Sequence, residues 1–251
     1  MAPSPPSLAN KVALITGAAR RIGAAVARHL HGEGMDIVLH YRQSRGAAEA
    51  LARELDRARP SSVLLVQADL QQCATFPDLF RQIRAFRGRL DALVNNASVF
   101  YPTPLATLGE AQWDELVGVN MKAPFFLAQQ AAPLLREAGG CIVNLVDIHA
   151  ERPLRAHPIY SMAKAGNAMM VKALARELGP EVRVNGVAPG AILWPEQELD
   201  ETAREEVVDR TALRRAGDPV DVARAILYLI RDADYVTGQI LAVDGGRTLQ
   251  Q

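Results

Sequence analysis

Tyr160 and Lys164 stand four residues apart in the stretch IYSMAK, and this spacing places both side chains on one face of a predicted helix. A phenol has a pKa of about 10 in water, and a neighbouring cation lowers that pKa. The pair could therefore supply a proton at neutral pH, while the lysine also binds a ribose hydroxyl. By itself, the spacing is equally typical of a half-exposed helical face.

A second group that could do chemistry lies in the stretch TGAARRIG, where an apolar run gives way to an amphipathic one. Gly17 and Gly23 open the first predicted helix, and free N–H groups at such a helix end favour a phosphate. Arg20 and Arg21 at the same end oppose the helix dipole by about 0.3–1 kcal/mol each. An anion is the simplest compensation, and the alternative is that both arginines extend into water.

The end of the second predicted strand indicates which dinucleotide would bind. A carboxylate there would bind the ribose diol of NADH and repel a 2′-phosphate, but this chain has HYRQSR instead. Arg42, Ser44 and Arg45 could donate to a phosphate, which favours NADPH. Asp69 and Leu70 follow the third predicted strand, where they could hold an adenine ring.

These residues lie at the ends of short apolar runs that alternate with longer helical patterns from Lys11 onward. The alternation predicts an α/β fold, with a parallel sheet, helices on both faces and ligands at the carboxyl ends of the strands. We expect one domain over residues 11–251, after a flexible tail at residues 1–10. Residues 191–215 are acidic and weakly periodic, which indicates either a covering loop with a short helix or a solvated surface helix.

Composition excludes several classes of partner. The 28 basic and 28 acidic residues cancel, so no global field favours nucleic acid or a membrane surface. Cys73 and Cys141 fit neither a metal site nor a disulfide framework, as expected in a reducing cytosol. No apolar stretch approaches the roughly 20 residues of a membrane span. The sequence therefore predicts a soluble cytoplasmic protein.

The Tyr160 and Lys164 pair becomes informative in its wider context. It follows the glycine turn, NNAS at residues 95–98 and Asn120 within VGVN, and it precedes PG at residues 189–190 and a terminal VDGG. In this order, over nearly the whole chain, these residues resemble the short-chain dehydrogenase/reductase superfamily. The resemblance implies a single doubly wound Rossmann-type domain with a seven-stranded parallel sheet, tyrosine-based hydride-transfer chemistry and a homotetramer.

The resemblance also implies a role for each matching residue. Tyr160 would be the proton donor, Lys164 the partner that lowers its pKa and binds ribose, and Asn120 a helix kink and proton-relay position. With Asp147, discussed next, these are the implied catalytic residues. The implied NADPH-binding residues are Gly17, Arg20, Arg21, Ile22, Gly23, Tyr41, Arg42, Ser44, Asp69, Leu70, Asn95, Ala97, Ser98, Tyr160 and Lys164, with Pro189, Gly190 and Ile192 beside the nicotinamide.

Two departures from the superfamily pattern narrow the resemblance. Arg21 replaces the usual middle glycine of the turn, and Asp147 in VNLVDIHA replaces the usual catalytic serine. With NNASVFYPTPL and HYRQS, these changes resemble the pteridine reductases, which reduce dihydropterins, and often dihydrofolate, with NADPH. There, the arginine would contact both cofactor phosphate and pterin, and Phe100 would stack the pterin against the nicotinamide. The implied substrate-binding residues are Arg21, Ser98, Phe100, Asp147 and Tyr160.

The aspartate also has a chemical rationale. A serine donates to a carbonyl oxygen that becomes an oxyanion, whereas reduction of a C=N bond needs a proton on nitrogen. A carboxylate at Asp147 would repel an oxyanion but tolerate an imine that is being protonated, and it could accept from pterin N–H groups.

Other interpretations stay open. Asp147 could be a turn residue, and Phe100 an ordinary packed aromatic. His149 and His157 are interpreted as rim residues rather than metal ligands, so no metal is expected. For the whole chain, the alternatives are an NADPH-dependent carbonyl reductase, such as a 3-oxoacyl carrier-protein reductase, and a non-catalytic NADPH sensor.

Overall fold

The computed structural model describes residues 6–192 and 201–249. Within them, seven parallel strands form one sheet in the order β3-β2-β1-β4-β5-β6-β7. The order reverses between β1 and β4, and parallel sheets of this kind bind ligands at such a reversal. The strands are β1 Val12–Ile15, β2 Asp36–Tyr41, β3 Val63–Gln67, β4 Ala92–Asn95, β5 Cys141–Leu145, β6 Arg183–Pro189 and β7 Ile240–Val243.

Helices cover both faces of the sheet, because its strands are apolar on both sides. In β1, Ala13 and Ile15 pack with α1, α2 and α8, whereas Val12 and Leu14 pack with α3, α5 and α6. A π-helical turn, Gly118–Lys122, joins α4 to α5. The helices are α1 Arg21–Gly32, α2 Arg45–Ala58, α3 Phe76–Arg87, α4 Glu110–Val117, α5 Ala123–Ala138, α6 Pro158–Leu178, α7 Glu201–Asp209 and α8 Pro219–Arg231.

The predicted doubly wound α/β fold is therefore confirmed. Of the predicted tail at residues 1–10, residues 1–5 lie outside the described residues, whereas Leu8 is 2% exposed and belongs to the same hydrophobic cluster as residues of α1 and α8. Burying one leucine contributes about 1.5–3 kcal/mol, which favours contact between this part of the chain and the domain.

The predicted covering segment, residues 191–215, is described only in part. Residues 193–200 lie outside the described residues, and α7 falls within the remainder. Its covering role stays a prediction. Within residues 6–192 and 201–249, no helix has the length and apolar character needed to cross a membrane.

Candidate active site

The turn between β1 and α1 requires its two glycines. Gly17 has φ +62°, and a Cβ there would lie 3.0 Å from Cα of Ala97. A Cβ at Gly23 would clash with the carbonyl oxygen of Gly17. Glycine therefore lets the turn pack closely on the segment after β4, which brings the carboxyl ends of β1 and β4 into one site.

Arg21 adopts the left-handed conformation that glycine favours, with φ 52°. For a residue with a side chain this backbone costs about 1–2 kcal/mol. A non-glycine residue in a strained conformation beside a cleft suggests that its side chain has a function there.

The two helices at this cleft begin without polar caps. Neither Arg20 at the start of α1 nor Ser44 at the start of α2 makes a side-chain cap bond, and the first turns contain no acid. By contrast, Asp218 caps α8 by accepting from the N–H of Val220 at 2.7 Å. Uncapped N–H groups with exposed arginines beside them fit an anionic ligand, such as the phosphates of a dinucleotide.

We call the space between these elements the nucleotide cleft; it has a volume of about 410 Å³. The sequence-predicted residues that line it are Gly17, Arg20, Arg21, Ile22, Gly23, Tyr41, Arg42, Ser44, Asp69, Leu70, Ala97 and Ser98. Those not predicted are Ala19, His40, Gln43, Asn96, Val99 and Val119.

Asn95 and Arg45 do not line the nucleotide cleft, and their predicted contacts with a cofactor stay predictions. Asn95 is 3% exposed and donates to Asn144 Oδ1, so it lies beneath the cleft rather than in its wall. Asn96 takes the wall position, and its Nδ2 donates to the carbonyl oxygens of Thr16 at 2.7 Å and Gly17 at 3.0 Å. Arg45 pairs with Glu49 of its own helix at 3.0 Å.

His40 supports the glycine turn from below, a role that the sequence analysis did not assign. Its Nδ1 accepts from the N–H of Gly17 at 3.1 Å, so Nε2 carries the proton and donates to the carbonyl oxygen of Ala68 at 3.1 Å. Burial lowers the pKa of His40 to about 4, so the ring is neutral. The available signal was a histidine directly after the apolar run at residues 37–39 of β2.

Asp147, Tyr160 and Lys164 come together where β5 leads into α6, and we call this group the catalytic corner. Tyr160 Oη donates to Asp147 Oδ2 at 2.7 Å, and Asp147 Oδ1 accepts from the N–H of His149 at 2.8 Å. Lys164 Nζ donates to the carbonyl oxygen of Leu145 at 2.9 Å. Tyr160 is 4% and Lys164 2% exposed, so the hydrogen bonds fix both side chains before any ligand arrives.

The pKa of Tyr160 shifts in the direction opposite to the sequence prediction. Burial and the adjacent Asp147 carboxylate raise it well above its usual value, and Ser98 opposes this shift. Lys164 does not reverse the shift, because its ammonium lies 5.6 Å from the tyrosine ring centroid and donates to Leu145. Burial lowers the pKa of Lys164 to about 8, opposed by Asp147. Tyr160 thus holds its proton at neutral pH.

Asn120 lies in the π-helical turn between α4 and α5. Its Oδ1 accepts from Ser98 Oγ at 2.6 Å, and its Nδ2 donates to the carbonyl oxygens of Val99 and Leu116, both at 2.9 Å. Through these bonds, the Asn120 side chain holds the segment after β4 next to α4. Its implied part in a proton relay stays a prediction.

Phe100 lies at the mouth of the site and is 50% exposed. Its ring stacks on His157 with centroids 4.6 Å apart and planes 10° apart. Tyr160 meets it edge-on at 4.9 Å. The Phe100 ring is therefore held beside Tyr160, and His157, which was predicted to lie at the rim, contacts the same ring.

The end of β6 reaches the same edge of the sheet. Gly190 donates its N–H to the carbonyl oxygen of Val243 at 3.0 Å, and a Cβ at Gly190 would lie 2.7 Å from Asp244. Pro189 and Ile192 flank it, both buried. None of the three lines the nucleotide cleft itself, so their place beside a nicotinamide stays a prediction.

Comparisons with known proteins agree with this architecture. A family model described as enoyl-(acyl carrier protein) reductase matches residues 17–248. Pteridine reductase 1 of Leishmania tarentolae is 36% identical over 95% of this chain and 96% of its own length. The chain belongs to the short-chain dehydrogenase/reductase superfamily. It is accordingly an oxidoreductase.

Other members of the superfamily carry different substrate names at similar identity. A 3-oxoacyl-(acyl-carrier-protein) reductase of Staphylococcus epidermidis is 32% identical over 94% of this chain and 98% of its own length. The granaticin polyketide synthase putative ketoacyl reductase 2 of Streptomyces violaceoruber is 39% identical over 95% of this chain and 96% of its own length. Overall sequence identity therefore does not distinguish a pterin substrate from a ketoacyl substrate. That distinction has to rest on the individual residues of the site.

Proposed function

We propose that this oxidoreductase reduces a dihydropterin, such as dihydrobiopterin, dihydromonapterin or dihydrofolate, to its tetrahydro form. The observation that carries the proposal is the 2.7 Å hydrogen bond from Tyr160 Oη to Asp147 Oδ2. It places a carboxylate at the proton donor, where a carbonyl reductase of this superfamily would have a serine.

Electrostatics favour a C=N over a C=O substrate at this position. A carbonyl oxygen that gains a hydride-derived negative charge about 4 Å from Asp147 would be repelled by about 4 kcal/mol at an effective dielectric constant of about 20. A ring nitrogen is much more basic than a carbonyl oxygen, so it can take up its proton before the hydride arrives, and the carboxylate would then face a cation instead of a developing anion. The carboxylate can also accept from N–H groups on the pterin.

In the proposed reaction NADPH supplies the hydride. Tyr160 Oη gives up its hydrogen bond to Asp147, donates to the ring nitrogen of the substrate instead and delivers its proton to that nitrogen. The phenolate that remains would be repelled by the Asp147 carboxylate, and the ammonium of Lys164, cationic below its pKa of about 8, would oppose that repulsion. Asp147, released from the phenol, accepts from the substrate instead.

NADPH is supported over NADH by the end of β2. Arg42 and Ser44 line the nucleotide cleft there, and no acid follows the strand before α2. The uncapped helices α1 and α2 provide N–H groups for the phosphates. Arg21 would contact both phosphate and pterin, which accounts for its strained backbone.

A cytoplasmic homotetramer is part of the same proposal. Phe125 on α5 and Met162 and Met169 on α6 are 43%, 50% and 62% exposed, and apolar side chains at these levels on two neighbouring helices suit a subunit contact.

A ketoacyl reductase is the second candidate, because two of the relatives above carry that name at 32% and 39% identity. NADPH oxidation should be measured with dihydrobiopterin, dihydromonapterin, dihydrofolate and a 3-oxoacyl thioester, with Tyr160→Phe as the background. We expect at least one dihydropterin to exceed the thioester in kcat/KM by about 100-fold or more, given the repulsion at Asp147. Faster reduction of the thioester would replace the pterin proposal with the second candidate.

A further inference from the structure

Four buried asparagines form a chain of amides beneath the active site. Asn95 Nδ2 donates to Asn144 Oδ1 at 2.8 Å, and Asn144 Nδ2 donates to Asn167 Oδ1 at 2.8 Å. Asn167 Nδ2 then donates to the carbonyl oxygen of Asn120 at 2.9 Å. All four are at most 3% exposed, so their bonds operate away from water and polarise one another in one direction.

Asn167 occupies a particular place in this chain. With Tyr160 and Lys164 it forms an i, i+4, i+7 row, and the three residues share one face of α6. A Cβ at the adjacent Gly166 would clash with Met121 of the π-helical turn, so glycine there lets α6 approach that turn closely. The catalytic helix thus reaches the π-helical turn through Asn167.

The Asn120 carbonyl lacks the usual α-helical donor four residues ahead. Residue 124, four positions further along, is a proline and has no N–H to donate to it. Asn167 provides that donor. At the same time the Asn120 side chain holds Ser98 and Val99, which directly precede Phe100.

We propose that Asn167 is a positioning residue for the reaction. Its side-chain amide fixes the position of the π-helical turn relative to the catalytic helix. Through the Asn120 side chain, this turn holds residues 98–100, and Phe100 is thereby placed beside Tyr160. The part played by Phe100 rests on the proposed pterin function. A parent protein that fails to reduce any dihydropterin would overturn the proposed pterin function. The role of Asn167 is tested separately, by the ratio of kcat between variant and parent with whichever substrate the parent reduces.

Asn185 offers a matched control in β6. It is 1% exposed, its Nδ2 donates to the carbonyl oxygen of Val236 at 2.7 Å and its Oδ1 accepts from the N–H of Gln239 at 3.0 Å. It therefore has the same burial as Asn167 and, like Asn167, donates one hydrogen bond to a backbone carbonyl and accepts one, here from a backbone N–H instead of a side-chain amide. It holds a loop before β7. Asn167→Leu and Asn185→Leu each remove one donated and one accepted hydrogen bond.

We expect both variants to lower Tm, but only Asn167→Leu to lower kcat, by about 10- to 100-fold, because small displacements of reacting groups have effects of this size. The NADPH Kd should change by less than about threefold, since the phosphate-binding elements are untouched. Equal kcat losses in the two variants, or an unchanged kcat in Asn167→Leu, would overturn the proposal. If the leucine variant does not fold, Asn167→Ser replaces it, because the serine hydroxyl keeps part of the hydrogen bonding. Asn167→Ser should lower kcat less than Asn167→Leu would, and a kcat equal to that of the parent would also overturn the proposal.

A double-mutant cycle tests the route through Phe100. In the Phe100→Ala background, Asn167→Leu should lower kcat by less than about threefold, because the ring that it positions is absent. The full 10- to 100-fold loss in that background would show that Asn167 does not act through residues 98–100.

Discussion

The nucleotide cleft and the catalytic corner lie at the same edge of the sheet but are built in opposite ways. In the cleft Arg20 and Arg42 are exposed, and the described side chains leave the N-termini of α1 and α2 uncapped. In the catalytic corner Tyr160 and Lys164 are buried and bonded to protein atoms. In the proposed function an anion would complete the cleft, whereas the hydrogen bonds of the corner already form between protein groups. Changes in the first should alter ligand affinity, and changes in the second should alter turnover.

Replacing the carboxylate of the catalytic corner should give the largest effect. We expect Asp147→Ser to lower kcat for a dihydropterin by about 100- to 10,000-fold, since general acid–base groups contribute on that scale, with a larger loss for Tyr160→Phe. NADPH affinity should stay nearly constant in both. Steady-state kinetics and NADPH fluorescence titration measure the two quantities, and an Asp147→Ser variant with parent turnover would make the carboxylate a mere turn residue.

His40 shares a feature with each of the two regions. It is buried, like the residues of the catalytic corner, but its hydrogen bond to Gly17 supports the nucleotide cleft. Burial lowers its pKa from 6.5 to about 4, so its contribution to stability is complete above pH 6.5 and is lost as the pH falls through 4. By pH 4 we expect a loss of about 3 kcal/mol in the free energy of unfolding, from linkage between protonation and folding. Urea unfolding at several pH values should show this loss in the parent and a smaller one in His40→Asn.

His31 is the control for that prediction. Burial also lowers its pKa, but its ring bonds Ser62, away from the cleft. His31→Asn should change the pH dependence of stability and leave NADPH affinity unaltered. His40→Asn should weaken NADPH binding as well, because the N–H of Gly17 loses its acceptor. Equal NADPH affinities in the two variants would remove His40 from the support of the cleft.

The smallest effect concerns cofactor choice. Arg42→Asp should weaken NADPH binding by about 1–3 kcal/mol more than NADH binding, because charge-assisted hydrogen bonds to a 2′-phosphate are lost. Arg45→Asp changes charge equally but breaks only a pairing within α2, so its effect on the NADPH preference should be weaker. Dissociation constants for both cofactors provide the test, and a parent protein without a preference for NADPH would contradict the assignment.

Local patterns predicted the fold and much of the cleft. Apolar runs alternating with helical periods predicted the parallel sheet, because a strand buried on both faces, such as β1, is apolar along its length. The two glycines were recognisable in the sequence by their place between the first strand and the first helix. Glycine occurs at these positions because close contacts exclude a side chain. Arg42, Ser44 and Asp69 follow strand ends and could be assigned from position, whereas lining residues such as His40 and Asn96 could not.

The sequence alone thus determined the parallel sheet, the glycine turn and the helical spacing of Tyr160 and Lys164, since these depend on near neighbours in the chain. Only the tertiary structure decided that the pKa of Tyr160 rises, because burial and the Asp147 carboxylate outweigh a cation whose ammonium is bonded elsewhere. It also decided the amide chain, whose members at positions 95, 144, 167 and 120 come from four separate elements. Desolvation and hydrogen bonding sum over neighbours in space, and no periodicity of the chain encodes which distant residues those neighbours are.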